Sequence, residues 1–426
     1  MRAVSRAFLA IAFTSMVTAA AYGSGFSIFE QGAKATAMGG AFVATANDPS
    51  AIFYNPAGIA QQRHLTFLGG ATFINFSNEF TGDPNSAFTA GESGKYNRHT
   101  FAPPNGYAIM PIGENLTVGV GMFGAFGLRT NWADPWAGRF LSRDADVKTV
   151  SVNPVIAWQT TSGRFAVGGG VEYRRNKVVL NANRGALNPF NGRFQDVANT
   201  RLESEWGSDI GWNVGILVKP TPRVRFGASY RADMAIDLDG QAEITQIMTN
   251  TPLDPVIKAQ LPPNQAISTT MPFPATAAIG VAFSPTEAWD IEFDVTHMTW
   301  SEFKELVVEF KTTPAAGFTR EQNWNDSSAY RFGVNHKVNE IWDVRFGLVY
   351  DSNPQPTEAV SPLLPDADRI GPSFGFGYHR GPWIMDVGLL ALHFKERSTE
   401  GRNAEGFDGT YKTDATLWGV NFGYRF

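Results

Sequence analysis

The chain has 426 residues and no cysteine, and its 40 acidic and 35 basic side chains give a net charge of −5. This mild acidity argues against nucleic acid as a partner, because nucleic-acid-binding proteins present basic surfaces. The lack of cysteine excludes thiol nucleophiles and thiolate metal sites. Glycine is abundant, with 43 residues, and aromatic residues make up 13% of the chain. Together these features argue against a soluble secreted enzyme, which would often carry disulfides.

The first residues have the layout of a secretory signal peptide. Arg2 and Arg6 form a basic head, residues 7–17 are apolar, and a string of small residues follows. We predict that residues 1–23 are removed by a cut before Ser24, with cuts after Ala19 or Ala21 as alternatives. The remaining 426 − 23 = 403 residues contain no apolar run of the roughly 18 residues that a spanning helix needs.

From about residue 65 onward, apolar residues occupy every second position. In residues 116–122, for example, leucine, valine and methionine alternate with threonine and glycine, and residues 210–218, 224–231 and 344–350 repeat the pattern. A period of two indicates strands with one face in an apolar medium. The opposite face carries glycine and charges of both signs, which is typical of the lumen of a lipid-embedded β-barrel.

The lengths of the connections support the same fold class. Short connections, such as Gly113-Glu114-Asn115, alternate with connections of ten residues or more. Bacterial outer-membrane barrels have this parity, with tight periplasmic turns, long outer loops and an even strand count. The predicted fold is therefore an all-β transmembrane antiparallel barrel of about 14 strands, although one missed or split hairpin would change the count to 12 or 16. The predicted strands are 64–80, 99–112, 116–131, 147–159, 164–183, 201–218, 223–245, 267–284, 288–310, 325–338, 342–352, 369–378, 383–397 and 409–426.

The last predicted strand ends on an aromatic residue. Counting back from Phe426, alternate positions are Tyr424, Phe422, Val420 and Trp418. This pattern resembles the signature that the barrel assembly machinery of the outer membrane reads, so we expect that machinery to be a partner through the Phe426 strand.

Residues 24–63 do not alternate and are rich in glycine and alanine, so their backbone can pack closely against its surroundings. Asp48-Pro49 indicates a helix start, and Asn55-Pro56-Ala57 indicates its end. A barrel of fourteen strands leaves an open lumen unless something fills it. We therefore predict that residues 24–63 form a hatch that plugs the barrel of residues 64–426.

Several motifs make the mature chain resemble the FadL/TodX family of outer-membrane transporters of long-chain fatty acids and aromatic hydrocarbons. The plug motifs Gly39-Gly40-Ala41 and Asn55-Pro56-Ala57-Gly58 are the most specific. Further matches are Gly25-Phe26, Trp136-Ala137-Gly138-Arg139, Trp289, Thr299-Trp300-Ser301 and Pro365-Asp366-Ala367-Asp368-Arg369. The resemblance implies an N-terminal hatch, a ligand groove among the outer loops, and sideways exit through a gap beside a kinked third strand.

These implications select candidate site residues. Hatch gating is expected at Asn55, Pro56 and Ala57. The strand-three kink and lateral gap are expected at Gly124, Ala125, Phe126 and Gly127, because Gly124 and Gly127 interrupt the alternation. The outer groove would come from two loops. Loop 184–200 carries Leu187, Phe190, Phe194 and Val197, and loop 245–265 carries Ile247, Met248, Leu253, Val256, Ile257 and Leu261, partly at helical spacing.

Alternation points several charged side chains into the lumen. Arg174, Arg231, Arg331 and Arg345 are candidates for holding a fatty-acid carboxylate, because a guanidinium can bind it with two hydrogen bonds. The alternative, an ion-pair network that braces a wet lumen, is favoured for any single residue by the even mixture of signs. The six histidines show no metal-ligand spacing. His297 and Ser301 lie four apart on a strand, too far for a hydrogen bond. We therefore expect no catalytic site, metal or cofactor.

The sequence thus indicates a passive outer-membrane importer of hydrophobic small molecules, with long-chain fatty acids favoured. The alternatives are an importer of aromatic hydrocarbons in the same family and a general porin for polar solutes. A porin would lack the plug, an enzyme would need a catalytic constellation, and a structural surface protein gives no account of the plug. Expected partners are the hydrophobic substrate, outer-membrane lipid, lipopolysaccharide and the assembly machinery, and the barrel is expected to be a monomer.

Overall fold

The computed structural model describes residues 25–190, 192 and 194–426. The predicted signal peptide, residues 1–23, lies outside the described residues. The rest forms a closed antiparallel barrel of fourteen strands, as predicted. The strands are β1 Thr66–Gly82, β2 Pro104–Ile112, β3 Leu116–Phe123 and Gly127–Asn131, β4 Asp144–Gln159, β5 Phe165–Leu187, β6 Phe194–Ser204 and Gly207–Thr221, β7 Val224–Arg231 and Met234–Gln246, β8 Gln265–Phe273 and Thr276–Thr286, β9 Trp289–Met298 and Glu305–Phe310, β10 Ser327–Lys337, β11 Trp342–Asp351, β12 Arg369–Arg380, β13 Trp383–Phe394 and β14 Gly409–Arg425.

The barrel closes between its first and last strands. β1 pairs with β14 from Thr66↔Arg425 to Gly82↔Gly409 without a register shift. Burial alternates residue by residue along β4, where Ile156 is 55% exposed and its neighbour Ala157 is 1% exposed. Apolar side chains occupy the outer face and charged ones the buried inner face, the reverse of a soluble protein. This distribution fits a barrel whose outer face contacts lipid.

The N-terminal segment, residues 25–63, fills the lumen with short elements. It contains helix α1 Ala33–Ala37, helix α2 Ala51–Tyr54 and a 3-10 helix Pro56–Gln61. Helix α2 begins later than Asp48-Pro49 suggested, because the Asp48 carboxylate accepts the Ser50 N–H at 2.7 Å and closes a turn first.

Wall glycines allow the backbone of this segment to approach closely. A Cβ atom on Gly388 would lie 2.4 Å from the Ala33 carbonyl oxygen, and one on Gly227 would lie 2.2 Å from the Val43 carbonyl oxygen. A larger residue at either position would displace the segment. The glycine-rich inner face noted in the sequence is therefore the surface on which the N-terminal segment packs.

The connections follow the predicted parity, with exceptions where strands continue past the predicted membrane span. β5 and β6 pair as far as Leu187↔Phe194, so much of the predicted loop 184–200 is strand. Cross-strand hydrogen bonds extend these strands although their outer face is no longer apolar. Helix α3, Asp254–Gln260, lies between β7 and β8. Shorter elements are the strand segments Ser93–Lys95, Thr100–Phe101, Phe318–Glu321 and Arg397–Ser398 and the 3-10 helices Ala137–Phe140, Trp300–Glu302, Pro314–Ala316 and Thr357–Ala359. Within the described residues, no helix has the length and apolar character needed to cross a membrane.

Candidate functional site

An aromatic cluster surrounds Phe26 inside the barrel, and we call it the aromatic chamber. The Phe26 ring centroid lies 4.7 Å from that of Trp300, and all members of the chamber are buried. Edge-to-face contacts at such distances stabilise aromatic pairs beyond their simple burial. The chamber therefore gives the N-terminal segment a fixed apolar seat. Its other members are Phe126, Phe273, Phe303 and Trp324.

Two of the cavities that adjoin the chamber share Phe26, Leu128 and Leu364 in their walls. The first, the lumenal cavity, is almost wholly apolar. Its lining includes Val147, Val178, Leu180, Met271 and Leu306. The second, the wall cavity, reaches the break in β3 and measures about 130 Å³. Its lining includes Ile74, Phe76, Phe101, Gly127, Leu392 and Leu417.

The third strand is interrupted at the residues that the sequence singled out. Phe123 pairs with Ser151, and Gly127 pairs with Lys148. Between these two pairs, β3 therefore advances four residues while β4 advances three. The extra residue is a β-bulge, and Gly124, Ala125 and Phe126 form it. β3 pairs with β2 from Ile112↔Leu116 to Gly106↔Met122. This pairing does not continue beyond the bulge.

The N-terminal segment takes the place of β2 at this break. The Ile28 N–H donates to the Ala125 carbonyl at 2.8 Å, and the Gly127 N–H donates to the Phe26 carbonyl at 3.0 Å. An antiparallel bridge joins Ser27 to Phe126 between these two bonds. Backbone groups that the kink frees are thus satisfied by the segment, as membrane depth requires.

The Asn55-Pro56-Ala57 turn is fully buried against the wall. The Asn55 side-chain amide donates to the Val43 carbonyl at 2.8 Å and to the Ile216 carbonyl of β6 at 3.0 Å. Its oxygen accepts the Ala57 N–H at 3.1 Å and begins the 3-10 helix. One side chain therefore connects two parts of the segment to the barrel.

Two carboxylates of β9 clamp the backbone of the same segment. Asp294 Oδ2 accepts the N–H groups of Phe42 and Val43 at 2.7 and 2.9 Å. Glu292 accepts those of Ala44 and Thr45 at 2.6 and 3.0 Å, and the Thr45 hydroxyl as well. Four consecutive backbone donors, residues 42–45, are thus held by two buried side chains. We call Glu292 and Asp294 the carboxylate clamp; alternation places them inward, but only the fold reveals their partners.

All four candidate arginines are buried and engaged with carboxylates. Glu172 binds both Arg174, at 2.7 Å, and Arg231. Arg331 lies 3.4 Å from Asp351 and also donates to the Gly39 carbonyl. Arg345 contacts Asp386 at 2.5 Å and Asp343 at 3.1 Å. These contacts form the bracing network that the mixed charges indicated.

Arg174 also borders the aromatic chamber. Its guanidinium carbon lies 4.8 Å from the Phe126 ring centroid and 5.2 Å from that of Phe273. Its Nη1 atom is buried and has no hydrogen-bond partner. A donor in this state can bind an acceptor that enters the chamber.

The predicted groove residues lie on and around helix α3, away from both cavities. Met248 and Val256 are 60% and 51% exposed, and the remaining four are partly buried. None of the six lines the lumenal or the wall cavity. At the neighbouring outer ends of β5 and β6 and between them, Leu187, Phe190 and Phe194 are also exposed. The Ile247 N–H, directly after β7, donates to the Val197 carbonyl of β6 at 2.8 Å and links the two regions.

Two acidic side chains of the wall cavity were not among the candidate site residues, although Asp366 belongs to a motif noted in the sequence. They are Glu30 of the N-terminal segment and Asp366 of the β11–β12 connection. Burial raises the pKa of Asp366 to about 6, and burial also raises the pKa of Glu30. The aromatic chamber was not expected as a unit, because its members come from separate parts of the chain. Phe26 lies in the N-terminal segment, Trp300 in the predicted strand 288–310 and Trp324 in the β9–β10 connection. Apolar residues at inward positions, such as Val147 and Met271, were the signal available in the sequence.

The outer rim brings His297 to a serine other than Ser301. His297 Nδ1 lies 3.1 Å from Ser328 Oγ across β9 and β10. Asp326 lies 3.8 Å from His297 Nε2, beyond hydrogen-bond range, so it does not orient the ring. In the described part of the chain, no three histidine, aspartate or glutamate side chains are grouped as metal ligands.

A closed barrel with an apolar outer face, a filled lumen and internal apolar cavities defines an outer-membrane transport protein. The chain belongs to the family described as outer membrane protein transport protein (OMPP1/FadL/TodX), which it matches over residues 14–426. Members of this family are transport channels, and the chain is an outer-membrane protein.

Individual relatives agree with this assignment. The long-chain fatty acid transport protein of Escherichia coli O6:H1 is 26% identical over 456 residues, covering 99% of this chain and 98% of that protein. A 47 kDa outer membrane protein of Pasteurella multocida is 27% identical, covering 90% and 89%. The crystal structure of a Pseudomonas aeruginosa FadL homologue is similar in fold, with a TM-score of 0.81, 20% identity and coverage of 94% and 99%. The Pseudomonas putida toluene transporter TodX has a TM-score of 0.71, 17% identity and coverage of 94% and 98%.

Proposed function

We propose that this protein imports hydrophobic small molecules, with long-chain fatty acids as the favoured cargo, and that the cargo leaves sideways through the barrel wall. The observation that carries this proposal is the pair of adjoining apolar cavities, which lead from the lumen to the break in β3. Burial of each CH₂ group is favourable by about 0.8 kcal/mol of transfer free energy, so an alkyl chain is more stable along this apolar path than in water. Movement is passive and follows the concentration gradient.

Capture begins at the outer loops. The exposed Leu187, Phe190, Phe194, Met248 and Val256 support a role of these connections as an apolar landing surface. In this proposal, Ile247, Leu253, Ile257 and Leu261 support that surface from below. Cargo then moves into the lumenal cavity and past Phe26.

Exit requires the N-terminal segment to release the wall. Residues 26–28 cover the break through two backbone hydrogen bonds and one bridge. Withdrawing them would open the wall cavity toward the bilayer at Gly124, Ala125, Phe126 and Gly127. The N-terminal residues 24–63 thus act as a hatch within the barrel of residues 64–426, and Asn55, Pro56 and Ala57 set its resting position.

Fatty acids are favoured over aromatic hydrocarbons because a basic group is available beside the chamber. The buried Nη1 of Arg174, which has no hydrogen-bond partner, suits a carboxylate. An aromatic hydrocarbon has no oxygen atom that could accept a hydrogen bond from it. Arg231, Arg331 and Arg345 act in bracing the wall. An aromatic-hydrocarbon importer is the second candidate, supported by the phenylalanine and tryptophan rings of the chamber. A general porin is disfavoured by the filled lumen, and we propose no catalytic activity.

Partners outside the barrel follow from its outer face. Arg175, which stacks on Trp206 at 5.3 Å, extends outward where β5 leaves the apolar belt. The cross-strand pair Lys148↔Lys177 lies beside it and also contacts the carboxylates of Asp146 and Glu203. Such cations suit the phosphates of lipopolysaccharide. We further propose outer-membrane lipid as a contact of the apolar belt, the assembly machinery as a partner of the Phe426 strand, and a monomeric barrel.

Uptake by cells tests the function. We would express the chain in a Gram-negative strain that lacks its own fatty-acid importer and measure the uptake of radiolabelled oleate, toluene and a small sugar. The proposal expects oleate uptake well above that of the vector control and no gain for the sugar. Gain for the sugar alone would support a porin, and gain for toluene alone would support the second candidate.

A further inference from the structure

The wall cavity combines apolar walls with polar and charged side chains, and one of the charged ones has an unmet hydrogen-bonding need. The charged or titratable residues in its lining are Glu30, His99, Arg129, Asp366 and Arg369. Asp366 is 3% exposed, lines the cavity, and its Oδ2 atom has no hydrogen-bond partner. Buried carboxylate oxygens without hydrogen-bond partners are rare in folded proteins, because burial without a partner forfeits the hydrogen bonds that water makes to them in the unfolded chain. The atom is therefore placed to accept a hydrogen bond from something that enters the cavity.

Neighbouring cations do not occupy this oxygen. Arg369 Nε donates to Asp351 Oδ2 at 3.1 Å, and Arg397 Nη2 donates to the Gln355 carbonyl at 2.8 Å. Arg129 is exposed at the mouth of the cavity. The backbone of Asp366 is fixed by its N–H, which donates to the Gln355 side chain at 3.1 Å. This loop contact orients the carboxyl group without satisfying it.

The wall cavity holds charges of both signs. Glu30 lines the same cavity from the N-terminal segment. Arg129 and Arg369 also line the cavity, so the cavity as a whole is not anionic. The preference is local to Asp366 Oδ2, because an anionic head group brings no proton to this oxygen and would place two negatively charged acceptors against each other. An O–H donor, in contrast, gains a charge-assisted hydrogen bond there.

We propose that Asp366 selects cargo by its head group as it leaves through the wall, accepting a hydrogen bond from a neutral O–H donor and disfavouring anions. The chemical class comprises hydrophobes that end in an alcohol, a phenol or a protonated carboxyl group. A fatty acid would then pass this point in its neutral form, which also suits release into the apolar interior of the bilayer. This inference rests on the proposed import of hydrophobes through the wall cavity.

Three probes with one chain length separate the possibilities. Dodecanol carries a donor, dodecyl methyl ether carries only an acceptor, and dodecanesulfonate is a permanent anion. Binding to the purified barrel in detergent would be measured by displacement of a fluorescent hydrophobe. For the wild-type protein we expect dodecanol to bind roughly ten- to hundredfold more tightly than the ether, the range of one hydrogen bond to a charged group. The sulfonate is tested in an Arg174→Met background, so that Arg174 cannot hold it beside the chamber, and there it should bind most weakly.

The test variant is Asp366→Asn, which keeps the size of the side chain and removes its charge. We expect the preference for dodecanol over the ether to shrink severalfold and, in the Arg174→Met background, sulfonate binding to improve. Asp368→Asn is the matched control, because Asp368 Oδ1 accepts the Asn353 N–H at 3.0 Å in the same loop and does not line the cavity. Heat-dependent gel migration would verify that each variant is folded.

Two results would overturn the inference while leaving the import function standing. One is equal binding of dodecanol and the ether to the wild-type protein. The other is an unchanged set of ratios in a folded Asp366→Asn variant. Failure of all three probes to bind the wild-type barrel would instead overturn the proposed function together with this inference.

Discussion

The carboxylate clamp provides a direct test of what holds the hatch in the lumen. We consider the double variant Glu292→Ala with Asp294→Ala. Both side chains are buried, and together they accept the N–H groups of residues 42–45 at 2.6 to 3.0 Å. The substitution leaves these four donors facing an empty space in the wall of the barrel.

We expect the double variant to lose much of the free energy that holds the N-terminal segment against the wall, even when water replaces some of the lost hydrogen bonds. An unsatisfied buried donor costs about 1–3 kcal/mol, so four cost roughly 4–12 kcal/mol as an upper bound. Water that enters the vacated space would recover part of this loss. A net loss of about 3 kcal/mol would still raise the population of displaced segments roughly a hundredfold.

Single-channel recording in planar bilayers measures this population as ion conductance. We expect the double variant to show frequent open events that the wild-type barrel lacks, and its cells to become sensitive to a large hydrophilic antibiotic. Asp290→Ala is the matched control, because Asp290 lies on the same strand but, among the described residues, its side chain bonds to the wall groups Arg225 and Ser284. A correctly folded double variant with wild-type conductance would refute the reasoning.

Three further predictions address the fold and the site. The purified protein should migrate differently on gels before and after boiling and show a strand-dominated circular dichroism spectrum; a mainly helical spectrum would contradict the fold. Replacing Asn55 and Pro56 together by alanine should change oleate uptake at matched surface expression, because three hydrogen bonds of Asn55 are lost; unchanged uptake would make the turn purely structural. Arg174→Met should weaken fatty-acid binding about tenfold and spare toluene, since Glu172 keeps Arg231 as its partner; an equal loss for both ligands would remove the carboxylate role.

The barrel could be predicted from sequence because lipid imposes one rule on every strand. Every second residue of a strand must be apolar because it faces lipid, and this alternation can be recognised in each strand without knowing which strands are its neighbours. The break in β3 was visible for the same reason, as Gly124 and Gly127 violate that rule. Where strands continue past the membrane span, as β5 does to Leu187, the rule no longer applies and the predicted ends fell short.

The interior could not be predicted in the same way. Phe26 contacts Trp300 and shares the wall cavity with Asp366 only because the barrel closes. Closure brings together the N-terminal segment, the break within β9 and the β11–β12 connection. No periodic pattern marks such residues, since each is positioned by tertiary contacts rather than by its own strand. The arginines were correctly expected inside, but their partners, such as Glu172 on the same strand as Arg174, depend on side-chain reach.

The central claim, that cargo leaves through the break in β3, is tested most directly by a reversible lock. Cysteines replacing Ser27 and Phe126 would face each other across the antiparallel bridge, at a spacing that suits a disulfide, and the chain has no other cysteine. The pair Asn75→Cys with Thr416→Cys, between β1 and β14, serves as the control lock. We predict that oxidation of the first pair stops oleate uptake, that reduction restores it, and that the control lock has no effect. Wild-type uptake after complete oxidation of the first pair would contradict lateral exit.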